Sequence, residues 1–327
     1  MSDSSKIIGR IKRQYGAELF DELSQKITLP DLQSLLLEVF RIRVSKLSTQ
    51  YLAKQFRENR FVQPSSIDPR LFLKMDELAF SLDENYEPIE LSPVSPLGSN
   101  AIIAPVDQNN AISTIRNSEV CSDSSNILAL IAANRRAVLL KDNPKSNDSV
   151  KLCASFRVVR GQLFQGAGSV PHFRLYTRVT AGRDVGSFLF ELEVLFEHID
   201  FYLRYLKALG KINIQLNDIS VSIRDFTMKR EAQLKKELLL PLKKKHRFIQ
   251  FQLQAARQPG SGYYESVGFQ ISARENQGSN MLLVDGGFTD WTQQLLNNKK
   301  ERLLTSGLGT ERLCLCFKKD IDSYLSS

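Results

Sequence analysis

The chain has 327 residues, 42% of them hydrophobic and 24% charged, and carries a net charge of +8 at pH 7. Those proportions are those of an ordinary globular protein; they exclude a collagen-like or disordered chain, and no apolar run reaches the ~20 residues of a membrane span. The positive balance permits a polyanionic partner without specifying one. Residues 1–16 are polar and charged, so no secretory signal is expected. Cys121, Cys153, Cys314 and Cys316 lack paired C-x-x-C spacing and read as reduced thiols in a cytoplasmic protein. With only His172, His198 and His246 present, no metal site is expected.

In chain order, residues 7–26 read as an amphipathic helix. Leu29-Pro30-Asp31 has the signature of a helix start, and Leu35, Leu36, Val39, Phe40 and Ile42 follow at helical spacing. Residues 48–59 and 69–82 read as further helices. Pro88, Pro93 and Pro96 make 84–100 extended or irregular. From residue 101 the texture changes. Short strands are expected at 102–105 and 111–115. A helix follows at 122–133, capped by Ser122 or Asp123, then a polar hairpin tip at 141–149 and a strand at 150–159. Phe188, Leu192, Leu195, Phe196, Ile199, Leu203 and Leu206 recur every three or four residues and predict a helix ending before Gly210. A strand at 211–221 is expected next. Residues 228–247 then hold eight Lys/Arg against two acids, which reads as a solvated face or as a surface for nucleic acid. Strands are expected at 268–273, 281–285 and 312–317, with a helix at 289–297. Helices first and then hairpin-joined strands interrupted by helices give an α+β fold with a mostly antiparallel sheet flanked by helices. No G-x-G-x-x-G follows a strand, and no Ser–His–Asp set is evident.

Two stretches carry the chemistry. Phe156-Arg157-Val158-Val159-Arg160-Gly161-Gln162, then a Gly/Ser/Pro loop, then His172-Phe173-Arg174-Leu175-Tyr176, reads as strand, loop and returning strand. Arginine's planar fork suits phosphate oxygens. Ser306-Gly307-Leu308-Gly309-Thr310-Glu311-Arg312 places two glycines, which let backbone pass close to something flat, before one guanidinium. Each alone also reads as a solvated arginine beside a turn.

In that order, the two stretches resemble motifs 2 and 3 of class II aminoacyl-tRNA synthetases, in the histidyl-tRNA synthetase branch. Pro259 to Phe269 is similar to the branch's Arg-Gly-Leu-Asp-Tyr-Tyr signature, and Asp285-Gly286-Gly287-Phe288-Thr289-Asp290 to its Gly-Gly-Arg-Tyr-Asp signature. Ile115-Arg116 followed by Glu119 or Ser122 sits where the branch has Leu-Arg-Pro-Glu-Gly-Thr. The resemblance spans residues 101–317, implying a helical region at 1–100 and a synthetase-like core at 101–327 with a basic insertion at 225–248. It implies ATP, with Mg²⁺, held by Arg157, Arg160, Glu311 and Arg312. The motif 2 arginine takes the α-phosphate and the motif 3 arginine the γ-phosphate. It also implies a ligand pocket of Arg116, Glu119, Leu175, Tyr263, Tyr264 and Phe288, and a homodimer.

The departures are as informative as the matches. Val159 stands for the motif 2 glutamate, Pro259 for the signature arginine, Gly262 for its aspartate and Phe288 for the arginine of the glycine signature. A pocket without those partners should not select histidine, since each unpaired buried group costs about 1–3 kcal/mol. The chain stops soon after motif 3, so no anticodon-binding domain is expected. Two functions stay open. One is a non-catalytic or regulatory paralogue with a protein partner, analogous to the regulatory subunit of ATP phosphoribosyltransferase. The other is an adenylate-forming ligase with a less polar substrate seated against Leu175, Val179 and Phe288.

Overall fold

The computed structural model of the chain describes residues 3–104, 106–162, 170–255, 263–275 and 278–317. They fall into two compact units, Met1–Gln63 with Ser113–Glu119, and Pro64–Ile112 with Val120–Ser327.

The first unit is built on helices Asp3–Tyr15, Ala17–Asp21, Leu29–Val44 and Thr49–Glu58. Gly16, at φ 91°, interrupts what the pattern at 7–26 reads as one helix. Thr28 caps the third helix by accepting from the Asp31 N–H, with Pro30 in its first turn. Ser48 caps the fourth by accepting from the Tyr51 N–H at 3.1 Å. In each case the side chain satisfies an amide that the helix leaves unpaired.

The second unit holds an eight-stranded sheet. Its strands in chain order are β1 (Glu87–Pro88), β2 (Val150–Val159), β3 (His172–Arg183), β4 (Asn217–Asp225), β5 (Gln250–Ala255), β6 (Val267–Arg274), β7 (Asn280–Thr289) and β8 (Glu301–Gly309). They lie in the order β1-β2-β3-β8-β7-β6-β4-β5, so β1 and β5 are the edges. The β1–β2 and β4–β5 pairs are parallel and the remaining pairs antiparallel, making the sheet mostly antiparallel.

Side chains alternate between two cores on opposite faces of this sheet. On one face Cys153 and Tyr176 join Phe72, Met75 and Ala79 of helix Pro69–Leu82 and Leu195, Ile199 and Phe201 of helix Leu189–Ala208. The basic segment packs there too, through Leu234, Leu238 and Leu242 at four-residue spacing. Lys235 pairs with Glu231, and Lys245 with Asp200. On the other face Leu152, Ala154, Val179 and Ala181 meet Leu128, Ala129 and Ala132 of helix Ser124–Asp142, with Trp291 and Leu303. That helix is tied to β8 by a fully buried pair: Arg136 Nε and Nη2 each donate to the Glu301 carboxylate at 2.8 Å. Arg136 also donates to the Ser146 and Asp148 carbonyls.

Several expectations are corrected. Ser99–Ile103 forms a π-wound turn where short strands are expected at 102–105. Helix Ser124–Asp142 runs on past its expected end at 133 and stops just inside the tip expected at 141–149. The expected strand at 211–221 begins only at Asn217, because Leu209–Ile212 makes a 3₁₀ turn that ends in Asn213 at φ 62°. Residues 312–317 are not a strand. Thr310–Phe317 is a helix, and the strand of that region is β8 before it. Among the described residues no disulfide joins the four cysteines, and no helix is long and apolar enough to cross a membrane.

Candidate ligand cavity

The second unit encloses a cavity of about 410 Å³ on the Leu152/Val179 face of the sheet. Thr305, Gly307 and Gly309 of β8, Phe173, Leu175 and Thr177 of β3, and Asp285 of β7 line it. These share a face by register, since Leu175, Thr177 and Val179 pair with Gly309, Gly307 and Thr305, and Asp285 with Gly307. The floor is bare backbone at Gly307: an added Cβ would find only the Thr177 hydroxyl, at 3.9 Å. Gly287, by contrast, carries a ring, for a Cβ there would lie 2.6 Å from Tyr264. Tyr263 meets Tyr264 and Trp291 edge-on, at 4.8 and 5.5 Å between ring centres.

Two guanidinium groups, from Arg160 and Arg312, line this cavity. Arg160 reaches Asp123 at 3.3 Å and lies over the Phe173 ring at 5.0 Å. Arg312 stands in the first turn of Thr310–Phe317 and donates to the Leu282 carbonyl at 3.1 Å. The acids are Asp123 and Asp285. Burial holds the Asp285 carboxyl above the ordinary carboxylate range, against donors from Tyr264 Oη at 2.9 Å and Gln270 Nε2 at 3.1 Å; the charge of Asp123 adds to the rise. Burial also raises the Tyr263 and Tyr264 hydroxyls.

The residues expected at the site are therefore divided. Arg160, Arg312, Leu175, Tyr263 and Tyr264 line the cavity. Arg157 and Glu311 do not. Arg157 is opposite Arg174 in register, on the face of Cys153 and Tyr176, and lies 5.7 Å from the Phe72 ring. There it pairs with Glu311 at 3.0 Å. Glu311 also accepts from the Arg174 N–H at 3.0 Å and from the Ser65 hydroxyl. The arginine and second-following residue that reach the cavity are thus Arg160 and Gln162, three places later than Arg157 and Val159. Phe288 and Val179 do not line it either: Phe288 is odd-man to Asp285 and Gly287 on β7 and enters the opposite core. Arg116 and Glu119 belong to the first unit. Pro259 and Gly262 lie outside the described residues.

Sequence reasoning missed Asn126 and Thr305, and read Asp123 only as a cap. Asp123 is that cap, accepting from the Ser125 N–H at 3.0 Å, and it also faces the cavity. Asn126 carries no signal of its own, because the buried side of its helix also holds Ser124, Ser125 and Arg136.

Comparison with solved structures gives this arrangement its relatives. The chain has the fold of a class II aminoacyl-tRNA synthetase catalytic core. Apo histidyl-tRNA synthetase from S. aureus superposes with a TM-score of 0.56 at 15% identity, over 77% of this chain and 67% of that one. An ATP phosphoribosyltransferase regulatory subunit/histidyl-tRNA synthetase from Bacillus halodurans gives 0.56 at 13% identity, covering 78% and 82%. A histidine–tRNA ligase subunit from Alicyclobacillus acidocaldarius gives 0.52 at 12% identity, covering 77% and 96%. No family model and no curated protein sequence matches the chain.

Proposed function

We propose that this chain is a histidyl-tRNA-synthetase-like paralogue that does not charge tRNA and acts as a ligand-binding, regulatory protein, a cytoplasmic homodimer with a protein partner. In this reading Arg160 and Arg312 hold the phosphates of a nucleotide such as ATP, laid over Gly307 and Gly309. The observation that carries it is the withdrawal of Glu311 and Arg157 into an ion pair on the far face of the sheet. Glu311 is 3% exposed there, so it has no oxygen to offer a nucleotide-bound Mg²⁺. The cavity keeps a phosphate end but loses a carboxylate and a guanidinium that adenylate chemistry would use to stabilise charge in the transition state. Among the described residues no three His, Cys, Asp or Glu gather to hold a metal.

The convergence of Arg160 and Arg312 on one cavity favours a second reading, an ATP-dependent adenylate-forming ligase for a substrate other than histidine. One experiment separates the two. ATP binding is measured by calorimetry, and ATP–pyrophosphate exchange is measured with each of the twenty amino acids. Binding without exchange is expected; exchange with any amino acid overturns the regulatory reading. The exposed cations of residues 228–247 suit an electrostatic contact with RNA, whose affinity would fall as salt rises.

A further inference from the structure

Helix Leu29–Val44 is apolar nearly all round: nine of its 16 residues are Leu, Ile, Val or Phe. A helix of that composition belongs inside a core. Yet none of residues 5–63 is buried. Among the described residues, 15 of the 29 large apolar side chains left exposed lie between Ile7 and Val62, so what the chain leaves uncovered is concentrated in this unit. A chain that works alone in water rarely keeps such a surface.

The helix has two sides. Leu32, Leu36 and Leu37 are half-buried, whereas Leu35, Val39 and Ile42 are 43%, 40% and 45% exposed. Leu32, Leu35, Val39 and Ile42 follow one another at steps of three, four and three, the a and d positions of two heptads. Glu38 and Arg43 then flank that seam at g and e. In a parallel pair of such helices, g of one faces e of the other five residues on. Glu38 of each copy therefore meets Arg43 of the second copy, twice by symmetry. An antiparallel pair sets g against g and so acid against acid, since Asp31 is the other g residue. Among the described residues Arg43 has no carboxylate within ion-pair distance, and Glu38 has only Arg41 of its own helix.

We propose that helix Leu29–Val44 docks on a second copy of this chain, packed parallel along Leu32, Leu35, Val39 and Ile42 with a Glu38–Arg43 pair on each side. The inference deepens the homodimer of the reading above and is independent of its ligand. The occupant is a second copy because the flanking charges become complementary under a two-fold axis along the helix. Two heptads are short, and Leu52 and Phe56, exposed one turn apart on helix Thr49–Glu58, extend the contact. At about 150 Å² for each large side chain, the half-exposed apolar residues of this unit offer roughly 1,000 Å², against about 800 Å² per partner in a stable interface.

The test is sedimentation of the full chain and its variants, with thermal melting to show that each variant folds. A dimer is expected. Ile42→Glu, Glu38→Arg and Arg43→Glu should each raise its dissociation constant at least about tenfold, and the double variant Glu38→Arg/Arg43→Glu should restore most of the loss. Val39→Cys should cross-link two chains under mild oxidation, whereas Ser34→Cys, on the far side of the helix, should behave like the parent. A dimer equally tight in every variant overturns the seam and leaves the homodimer standing on another contact. A chain that stays monomeric at the highest concentration overturns both the seam and the homodimer, without touching the nucleotide reading. A double variant as weak as the singles overturns the parallel pairing.

Discussion

Replacing Glu301 by glutamine tests how the helix Ser124–Asp142, and with it the wall of the cavity, is held to the sheet. Arg136 and Glu301 are both 0% exposed, and two 2.8 Å bonds join them. The substitution keeps the shape but strands the guanidinium charge in the core. Removing one partner of such a pair costs about 3–5 kcal/mol. At roughly 2 °C per kcal/mol for a domain of this size, the melting temperature should fall by about 6–10 °C. The double variant Arg136→Met/Glu301→Leu removes both charges. Of the two carbonyls that lose a donor, that of exposed Asp148 can turn to water and only that of buried Ser146 is stranded, at a cost of about 1–3 kcal/mol, so the double variant should be the more stable of the two. Urea denaturation followed by tryptophan fluorescence reads both, since Trp291 is buried in the same core. A single variant within 1 kcal/mol of the parent, or a double variant less stable than the single, would refute the argument.

Other consequences are open to direct measurement. His198 is fully buried between Ser306 Oγ at 2.7 Å and Thr180 Oγ1 at 2.9 Å, and burial, followed by the charges of Arg178 and Lys151, holds its pKa well below the ordinary histidine value. The unfolded chain therefore binds a proton near pH 6.5 that the folded chain refuses. The His198 contribution is full above that pH and is lost as pH falls, by up to about 1.4 kcal/mol per unit, and His198→Gln should flatten the slope of the urea midpoint between pH 6.5 and 5. Gly286→Ala would put its Cβ 2.6 Å from Ser306 Cβ and 2.7 Å from the Phe269 ring, so a loss of about 1–3 kcal/mol is expected by thermal melting. Gly307→Ala meets open space and should melt within about 1 °C of the parent while weakening ATP at least tenfold by calorimetry; unchanged ATP affinity would mean that no ligand lies on that floor. Arg160→Ala and Arg312→Ala should each weaken ATP about 10–100-fold, whereas Arg157→Ala should leave ATP affinity unchanged and lower stability instead.

One helix and one strand were fully legible because their periodicities are clean, whereas the edge strands β1 and β5 were not read at all. Pro69–Leu82 and Val150–Val159 have the bounds that capping and alternation predict. Strand β8 was not legible, because it is central and covered on both sides: Leu303 enters one core and Leu304 the other, so no alternation survives in the sequence. The helix after it was misread for the converse reason. Leu313, Leu315 and Phe317 alternate, yet Leu313, Cys314 and Phe317 are the buried positions, a helical set, and Leu315 is 40% exposed. At the site the missing information was parity. Arg157 and Arg160 are both plausible phosphate ligands in the sequence, and only the strand's registration on the sheet decides which reaches the cavity. Thr305 was invisible for the same reason as β8.

The sheet's two margins differ in their exposure to unwanted association. On one side β1 is only two residues long and ends in Pro88, which has no amide hydrogen, so an incoming chain finds almost no ladder to extend. On the other, β5 is six residues of Gln250-Phe251-Gln252-Leu253-Gln254-Ala255 and, among the described residues, has β4 on its inner side alone. Glutamine-rich segments stack readily on copies of themselves. If this protein misassembles under stress, fibre growth should start from β5, and a charge at Gln252 should slow it.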